Sequence, residues 1–283
     1  MIWLFSALMA AAHAGSLLTK VASCATVKPT RTVQIIKQWH LPPKTITKGF
    51  RERYPQERNQ SAIYIALADK IKNKKLDLVV AEGCEGEINQ DFTTAFNGWD
   101  LTSLQKMAQT KGFDRIIAHV PLKLEARFGD KILTICGDNN RLIQEGNLRI
   151  SNLRGWAGYW MRLREGGNLE KSKPYAETVA DILKIPRDTP VDKIIPQVQE
   201  HMKEDLEAFK KSLADRNEQF VKVLQSHDFK QAAVVIGGLH AEDLKAKLQA
   251  AGFGCDVLQP SGYQREDENL LQDFEKALTA KAP

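Results

Sequence analysis

The stretch AAVVIGGLHAEDLKAKL, residues 232–248, contains the strongest indication of the fold. Its apolar first part, Ala232–Ile236, is typical of a strand buried on both faces of a parallel sheet. Gly237 and Gly238 then permit a tight turn before an amphipathic helix. His240 therefore lies between a strand end and a helix start, where open α/β sheets bind their ligands. This stretch alone is equally compatible with a histidine that only caps the helix.

The composition is that of a soluble globular protein. The chain has 283 residues, of which 43% are hydrophobic and 27% are charged, which is enough for one large domain or two small ones. The 40 Lys and Arg residues exceed the 35 Asp and Glu residues, for a formal net charge of +5. These charges are spread along the chain and form no basic arm, so we expect no nucleic-acid partner.

Residues 1–30 are expected to be a signal peptide and a linker. Met1–Ala14 is apolar and ends in a small-x-small pattern, as export signals do, but it contains no Lys or Arg and so lacks their basic n-region. The sequence VASC at Val21–Cys24 resembles a bacterial lipobox, whose cysteine is lipidated after cleavage. Neither segment approaches the roughly 20 apolar residues that span a bilayer. We therefore expect a periplasmic, outer-membrane or extracellular protein, cleaved near Ala14 or anchored by a lipid on Cys24.

The four cysteines show no spacing typical of a zinc ribbon; they are Cys24, Cys84, Cys136 and Cys255. Cys136 and Cys255 lie in apolar runs, which favours buried free thiols. Disulfides are the alternative in an oxidising compartment, and the sequence does not determine their pairing.

Strand-like runs alternate with helical patterns from residue 31 onwards. The runs are Val33–Trp39, Leu76–Ala81, Lys131–Cys136, Ala232–Ile236 and Cys255–Leu258. The last of these runs is expected to be an edge strand. We predict a single α/β domain over residues 31–283, with a mostly parallel sheet flanked by helices. Residues from about 151 to 228 show only helical patterns and are predicted to be a helical insertion before the last strands.

An apolar stripe marks the long helical stretch near the end of this insertion. Its members are Val198, Met202, Leu206, Phe209, Leu213, Phe220 and Leu224. Between Leu213 and Phe220 the inward position falls on Arg216 or Asn217. A buried guanidinium needs an acid, a carbonyl or a ligand, because an unpaired buried charge is very costly. The alternative is that the long side chain extends to the helix edge.

Four predicted strands are followed by polar residues capable of chemistry, namely His40, Glu82, Asp138 and His240. If the strands are parallel, these residues share one edge of the sheet. Two imidazoles and a carboxylate are a common ligand set for a catalytic divalent metal. We therefore predict that His40, Glu82 and His240 bind Mn, Co or Zn, or activate water directly. A second carboxylate could act as a general base, and a nearby arginine could bind an oxyanion.

Other candidates have simpler interpretations. His119 is expected to be a hydrogen-bonded core or loop histidine, although a place in the site is the alternative. Glu85 and Glu87 are expected to form a solvated acidic loop. The aromatic stripe of Trp156, Tyr159 and Trp160 is expected to pack in a core, with a lid over an apolar ligand or haem as the alternative.

The segment Leu213–Gln259 resembles the TraB/Tiki and erythromycin-esterase/ChaN-like superfamily. The resemblance is carried by the Arg216-Asn217 pair in a helix, by the turn GGLH at residues 237–240, and by the closing helix and strand. Upstream, Val33–His40 resembles the family's first histidine-bearing strand, and LVVAEG at residues 78–83 resembles the strand that carries its glutamate.

One position departs from the family pattern. The first motif of the family reads Gly-x-x-His, whereas this chain has Lys37 at the glycine position before His40. The resemblance implies a related α/β fold and a site built from His40, Glu82, Arg216 and His240.

The family contains metal-dependent proteases, esterases that open macrolide lactones and haem-binding lipoproteins. The resemblance therefore implies an exported hydrolase that cleaves a peptide or ester bond, with Arg216 orienting Glu82 or stabilising the oxyanion. The alternative is a non-catalytic haem- or ligand-binding lipoprotein of the ChaN-like type. A surface interaction protein that retains an inactive hydrolase fold is a third interpretation, indicated by Lys37.

Overall fold

The strand expected at residues 232–236 lies in the centre of a seven-stranded sheet. The computed structural model of the protein describes residues 17–25, 29–40, 55–91, 93, 100–110, 113, 119–165 and 169–279. The strands are β1 Leu18–Ser23, β2 Thr32–Gln38, β3 Leu78–Ala81, β4 Glu85–Glu87, β5 Leu133–Gly137, β6 Gln231–Gly237 and β7 Gly254–Pro260. Their order in the sheet is β1-β7-β2-β6-β3-β5-β4.

The sheet is mostly parallel, and both of its edge strands are antiparallel to their neighbours. Strands β7, β2, β6, β3 and β5 run in the same direction, whereas β1 pairs antiparallel with β7 and β4 with β5. The prediction of an α/β fold with a mostly parallel sheet is confirmed. The prediction that β7 is an edge strand is wrong, because β1 pairs along its outer side. Strand β1 lies in the segment expected to be a linker, and its mostly exposed residues carry no burial pattern.

The described residues contain eight α-helices. They are α1 Pro55–Lys72, α2 Leu101–Ala108, α3 Val120–Phe128, α4 Asn140–Glu165, α5 Leu169–Leu183, α6 Val191–Gln225, α7 Ala241–Ala250 and α8 Glu266–Thr279. Helical structure between β5 and β6 thus begins at Asn140, earlier than the predicted residue 151. Among these helices, none combines the length and the apolar character needed to cross a membrane.

The chain divides into two compact units. The first comprises Met1–Asn139 and Asn217–Gln264, and the second comprises Asn140–Arg216 and Arg265–Pro283. All seven strands belong to the first unit, whereas α4, α5, α8 and most of α6 belong to the second.

The sheet of the first unit is covered by apolar side chains on both faces, as buried parallel strands require. Neighbouring residues of one strand belong to different clusters, as Ile35 and Ile36 of β2 do. The cluster that contains Ile35 also contains Phe220 and Leu224 of α6 and Leu244 and Leu248 of α7. The cluster that contains Ile36 also contains Ile63 and Leu67 of α1 and Val120 and Leu124 of α3. The alternation of strand side chains therefore fixes which helices lie on which face.

The second unit has an apolar core of its own. The predicted stripe is buried along its whole length, so its prediction is confirmed. The part from Val198 to Leu206 packs in this core with side chains of three other helices, among them Leu153 of α4, Val179 of α5 and Phe274 of α8.

Two disulfides join the four cysteines in pairs. Cys24 is bonded to Cys255 and Cys84 to Cys136, with Cα atoms 4.9 and 5.1 Å apart. No cysteine in the described part of the chain is free, so the prediction of free thiols is wrong. Cys136 and Cys255 lie in β5 and β7, and each is bonded to a cysteine next to a strand end, Cys84 before β4 and Cys24 after β1. The strand order that brings these partners together is not visible in the sequence. A sulfur bonded to Cys255 cannot also carry a lipid, so this disulfide and a lipid anchor on Cys24 exclude each other.

We expect peptide mapping of the unreduced protein to recover these two pairs and no other. Replacing Cys24 and Cys255 together by serine should lower the free energy of unfolding, because their bond links positions 231 residues apart and restricts the unfolded chain. The expected loss is roughly 2–5 kcal/mol, measured by urea unfolding against the wild type. Reaction of either cysteine with a thiol reagent in the native protein would contradict the pairing.

Candidate active site

The predicted polar residues lie at one edge of the sheet of the first unit. His40, Glu82 and Asp138 follow β2, β3 and β5, and a short 3₁₀ turn after β6 carries His240. These strands are parallel, so their carboxyl ends lie at the same edge. The backbone N–H of Glu82 donates to the carbonyl of Val235 at 3.2 Å, which fixes the end of β3 against β6.

The Glu82 carboxylate is the centre of this arrangement. Its Oε2 atom accepts a hydrogen bond from the Gly237 N–H at 2.5 Å and another from Gln38 Nε2 at 3.3 Å. His40 Nε2 lies 3.5 Å from the same oxygen, and His240 Nε2 lies 3.3 Å from Oε1. The structure therefore brings two of the other predicted site residues, His40 and His240, to the Glu82 carboxylate. The two donors on Oε2 help to compensate the loss of hydration of a buried carboxylate.

The two imidazoles differ in their access to solvent. The His40 side chain is 50% exposed, whereas those of Glu82 and His240 are 5% and 3% exposed. His40 is thus the member of the group that a dissolved molecule can reach, and His240 lies behind the carboxylate.

Helix α1 holds the chain segment that leads to His40. Asn59 Oδ1 accepts a hydrogen bond from the Trp39 N–H at 2.8 Å, and Gln60 Nε2 donates to the Trp39 carbonyl at 3.0 Å. Gln60 Nε2 also lies 3.5 Å from Gln38 Oε1, while Gln38 itself donates to Glu82. Sequence reasoning did not identify Gln38 as a site residue, although it lies two positions before His40.

His240 is fixed from the side opposite Glu82. Its Nδ1 atom lies 2.8 Å from Asn217 Oδ1, and the edge of the Phe220 ring faces its ring at 6.4 Å between centroids. Asn217 is fully buried and was one of the two residues proposed for the inward position of the stripe. The other, Arg216, precedes it in α6 and is also buried. The role of Arg216 in orienting Glu82 or binding an oxyanion stays a prediction.

The two histidine motifs differ in their need for glycine. A Cβ atom on Gly237 would lie 2.6 Å from His40 Nε2 and 3.3 Å from Glu82 Oε2. With His40 in this position, the second motif therefore requires a residue without a side chain. Lys37, at the corresponding position of the first motif, pairs with Ile236 in the sheet. Its buried side chain places Nζ 5.7 Å from the centre of the Tyr263 ring. A lysine is therefore accommodated in the strand.

Asp138 supports the turn after Glu82. Its carboxylate is buried and accepts hydrogen bonds from the N–H groups of Gly83, at 3.2 Å, and Asn139, at 3.0 Å. Its own N–H donates to the Cys84 carbonyl at 3.1 Å, beside the disulfide between Cys84 and Cys136. Asp138 thus stabilises the backbone that carries Glu82.

The acidic residues after this turn are exposed, as expected, but they form a strand and not a loop. Glu85 and Glu87 are the first and last residues of β4. Glu85 Oε1 accepts a hydrogen bond from Asn139 Nδ2 at 3.1 Å.

The group does not fit a shared metal ion as it is arranged here. In the part of the chain that the structure describes, no three His, Cys, Asp or Glu side chains are placed so that they could hold a metal. His40 and His240 approach different oxygens of Glu82, with N–O distances of 3.5 and 3.3 Å. Binding of Mn, Co or Zn stays a prediction.

His119 has a structural role, in agreement with the simpler interpretation. It is the N-cap residue of α3, and its Nδ1 atom accepts a hydrogen bond from the Leu122 N–H at 3.2 Å. Burial of the ring lowers the pKa of His119 from its ordinary value of 6.5 to about 4, since the charged form loses its hydration.

The aromatic stripe belongs to the second unit. Trp156, Tyr159 and Trp160 are partly buried and pack against the core of that unit, as expected, and Trp156 stacks on His201 at 4.9 Å between centroids. A pocket of about 280 Å³ lies beside them; it is lined by Ser151, Asn152, Gly155, Trp156, Tyr159 and Ile182. A lid over an apolar ligand or haem stays a prediction.

Comparisons with known proteins add no further assignment. No family model, no curated protein and no solved structure matches the chain. The resemblance to the TraB/Tiki and erythromycin-esterase/ChaN-like superfamily therefore stays a prediction from the motifs.

Replacing Gly237 by alanine should displace His40 with little effect on the rest of the fold. The backbone angles at Gly237, φ −57° and ψ 148°, suit alanine, but the new methyl group would overlap His40 Nε2. Because His40 is half exposed, its ring can turn away, and we expect the free energy of unfolding to change by about 1 kcal/mol or less. Ring NMR signals should shift strongly for His40 and weakly for His240.

A matched control is Gly158→Ala, since a Cβ atom there would meet nothing within 4 Å. It should leave the ring signals of both histidines unchanged. A crystal structure of the Gly237→Ala variant with His40 in its original position would contradict the role assigned to this glycine.

His119 should make the protein less stable in acid. Because its folded pKa is lowered, its contribution is fully present above about pH 6.5 and is lost as the pH falls towards 4. His119→Asn keeps an N-cap acceptor without titrating. Between pH 7 and 4 we expect the wild type to lose roughly 1–3 kcal/mol more free energy of unfolding than the variant. Equal losses in urea unfolding would show that another group is responsible.

Proposed function

We propose that the protein is an exported hydrolase in which Glu82 and its two histidines activate water for attack on a peptide or ester carbonyl. The observation that carries the proposal is the buried Glu82 carboxylate held between a half-exposed and a buried imidazole. A base oriented by a buried carboxylate is a recurring arrangement in acyl-transfer enzymes. The predicted resemblance to the TraB/Tiki and erythromycin-esterase/ChaN-like superfamily supports the same class of reaction.

His40 is the proposed general base. Its Nε2 atom faces Glu82, which leaves Nδ1 to take a proton from water as the oxygen attacks the carbonyl carbon. Glu82 stabilises the resulting imidazolium, and the same proton then passes to the departing amine or alcohol. His240 contacts the other oxygen of this carboxylate, Oε1, on its buried side. Arg216 is retained as the proposed group for stabilising the oxyanion.

Export is part of the proposal. Disulfides are common in oxidising compartments and rare in the cytosol. The two disulfides of this protein therefore support a periplasmic or extracellular location. The signal sequence expected at Met1–Ala14 lies outside the described residues. Cleavage near Ala14 would leave β1 in the mature protein, whereas cleavage before Cys24 would remove it.

We also propose that helices α4 to α6 are the helical insertion of this fold.

The test is an assay of the purified protein against peptide and ester libraries, with added Mn, Co or Zn and with a chelator. Glu82→Gln, His40→Ala and His240→Ala should each lower the rate by about 100-fold or more, as expected for loss of a base or its partner. His227→Ala is the matched control; this histidine lies in the turn after α6 and should leave the rate unchanged. Activity that persists in both Glu82→Gln and His240→Ala would refute the assignment.

Exposure gives a finer test of the two histidine roles. Added imidazole should restore part of the activity of His40→Ala, because the vacated position is open to solvent. It should not restore that of His240→Ala, whose position is buried. Equal rescue of both variants would contradict the division of roles.

A further inference from the structure

The Asn217 side chain is oriented by two acceptors. Its Nδ2 atom donates to Asp243 Oδ2 at 2.8 Å and to the His240 carbonyl at 3.2 Å. With the amide reversed, an oxygen would face both of these acceptors, so only one orientation is compatible with them. The Oδ1 atom of Asn217 is therefore the atom that faces His240 Nδ1.

This orientation determines which nitrogen of His240 carries a proton. An amide oxygen only accepts hydrogen bonds, so the 2.8 Å contact requires a proton on Nδ1. Nε2 is then the ring nitrogen that faces the Glu82 carboxylate, at 3.3 Å from Oε1.

We propose that Asn217 is a positioning residue that keeps the Nδ1 proton on His240, and that Asp243 holds Asn217 in the required orientation. The arrangement commits Nε2 of His240 to the Glu82 carboxylate. The proposal rests on His240 belonging to the proposed active site, but it concerns the state of the ring and not the substrate.

The last part of α6, the 3₁₀ turn after β6 and the start of α7, all in the first unit, make this possible. Helix α6 supplies Asn217 and, one turn later, Phe220, whose ring edge faces the His240 ring. Asp243 lies in the first turn of α7, three residues after His240, so the same strand-to-helix turn carries the histidine and the group that orients its partner. Burial of Asn217 and His240 excludes water as a competing partner for Nδ1.

The surroundings of Asp243 are consistent with a supporting role. Its side chain is about half exposed, and Lys247 Nζ lies 4.0 Å from Oδ2. The carboxylate can therefore remain in contact with solvent while it accepts the hydrogen bond from the buried amide.

The experiment is long-range ¹H–¹⁵N NMR of the histidine rings in the ¹⁵N-labelled full chain, on both sides of neutral pH. In the wild type we expect His240 Nδ1 to be protonated throughout, with a slowly exchanging proton. Asn217→Leu removes the acceptor at similar size, and we expect it to change the ratio of the two ring tautomers by roughly fivefold or more.

Asp243→Ala is the variant to use if Asn217→Leu does not fold, because Asp243 is partly exposed. It should change the tautomer ratio in the same direction as Asn217→Leu. His227 serves as the internal reference, because its Nδ1 atom contacts the Val223 carbonyl at 2.8 Å. At each pH its ring signals should be the same in the variants as in the wild type.

An unprotonated Nδ1 in the folded wild type would overturn the proposal. So would a tautomer ratio that does not change in the folded Asn217→Leu or Asp243→Ala variant. Because the readout needs no substrate, a protein that shows the expected tautomers but cleaves nothing would refute the proposed function and leave this inference standing.

Discussion

The hydrogen bond from the Gly237 N–H to the Glu82 carboxylate is the contact on which the site depends. It exists because β6 lies between β2 and β3 in the sheet. This order places the end of β6 between the strand ends that lead to His40 and Glu82. A residue larger than glycine at the end of β6 would fill the space that these two side chains share. The site can therefore form only after a late segment of the chain has been inserted between two early ones.

The sequence predicts this edge of the sheet well, for identifiable reasons. Short continuous apolar runs that end in glycine, such as Ala232–Ile236, are typical of buried strands. Parallel strands bring their carboxyl ends together at one edge of the sheet. Three residues were selected on that basis. Of these, His40 and His240 each lie within ion-pair distance of the Glu82 carboxylate. The buried apolar stripe of α6 was visible for the same reason, since its spacing repeats over several turns.

The features that were missed depend on which strands become neighbours. The disulfide partners could not be read from the cysteine positions, because β1 and β7 are far apart in sequence and adjacent only in the sheet. Strand β1 itself has exposed residues and no periodic pattern. Asp138 was identified as a strand-end residue capable of chemistry, and it accepts a hydrogen bond from the backbone of the turn after Glu82. Its position at a strand end was predictable, whereas the direction of its hydrogen bonds was not.

The bond between Cys24 and Cys255 has a consequence for the survival of the protein. It joins residues 231 positions apart, so the chain from Cys24 to Cys255 becomes a closed covalent ring. Helices α4 to α6 lie within this ring, and α8 lies outside it. One cut by a protease anywhere within the ring would open it without releasing a fragment, and the sheet could stay assembled around the break. A fragment would leave such a chain only after a second cut or after reduction of the bond.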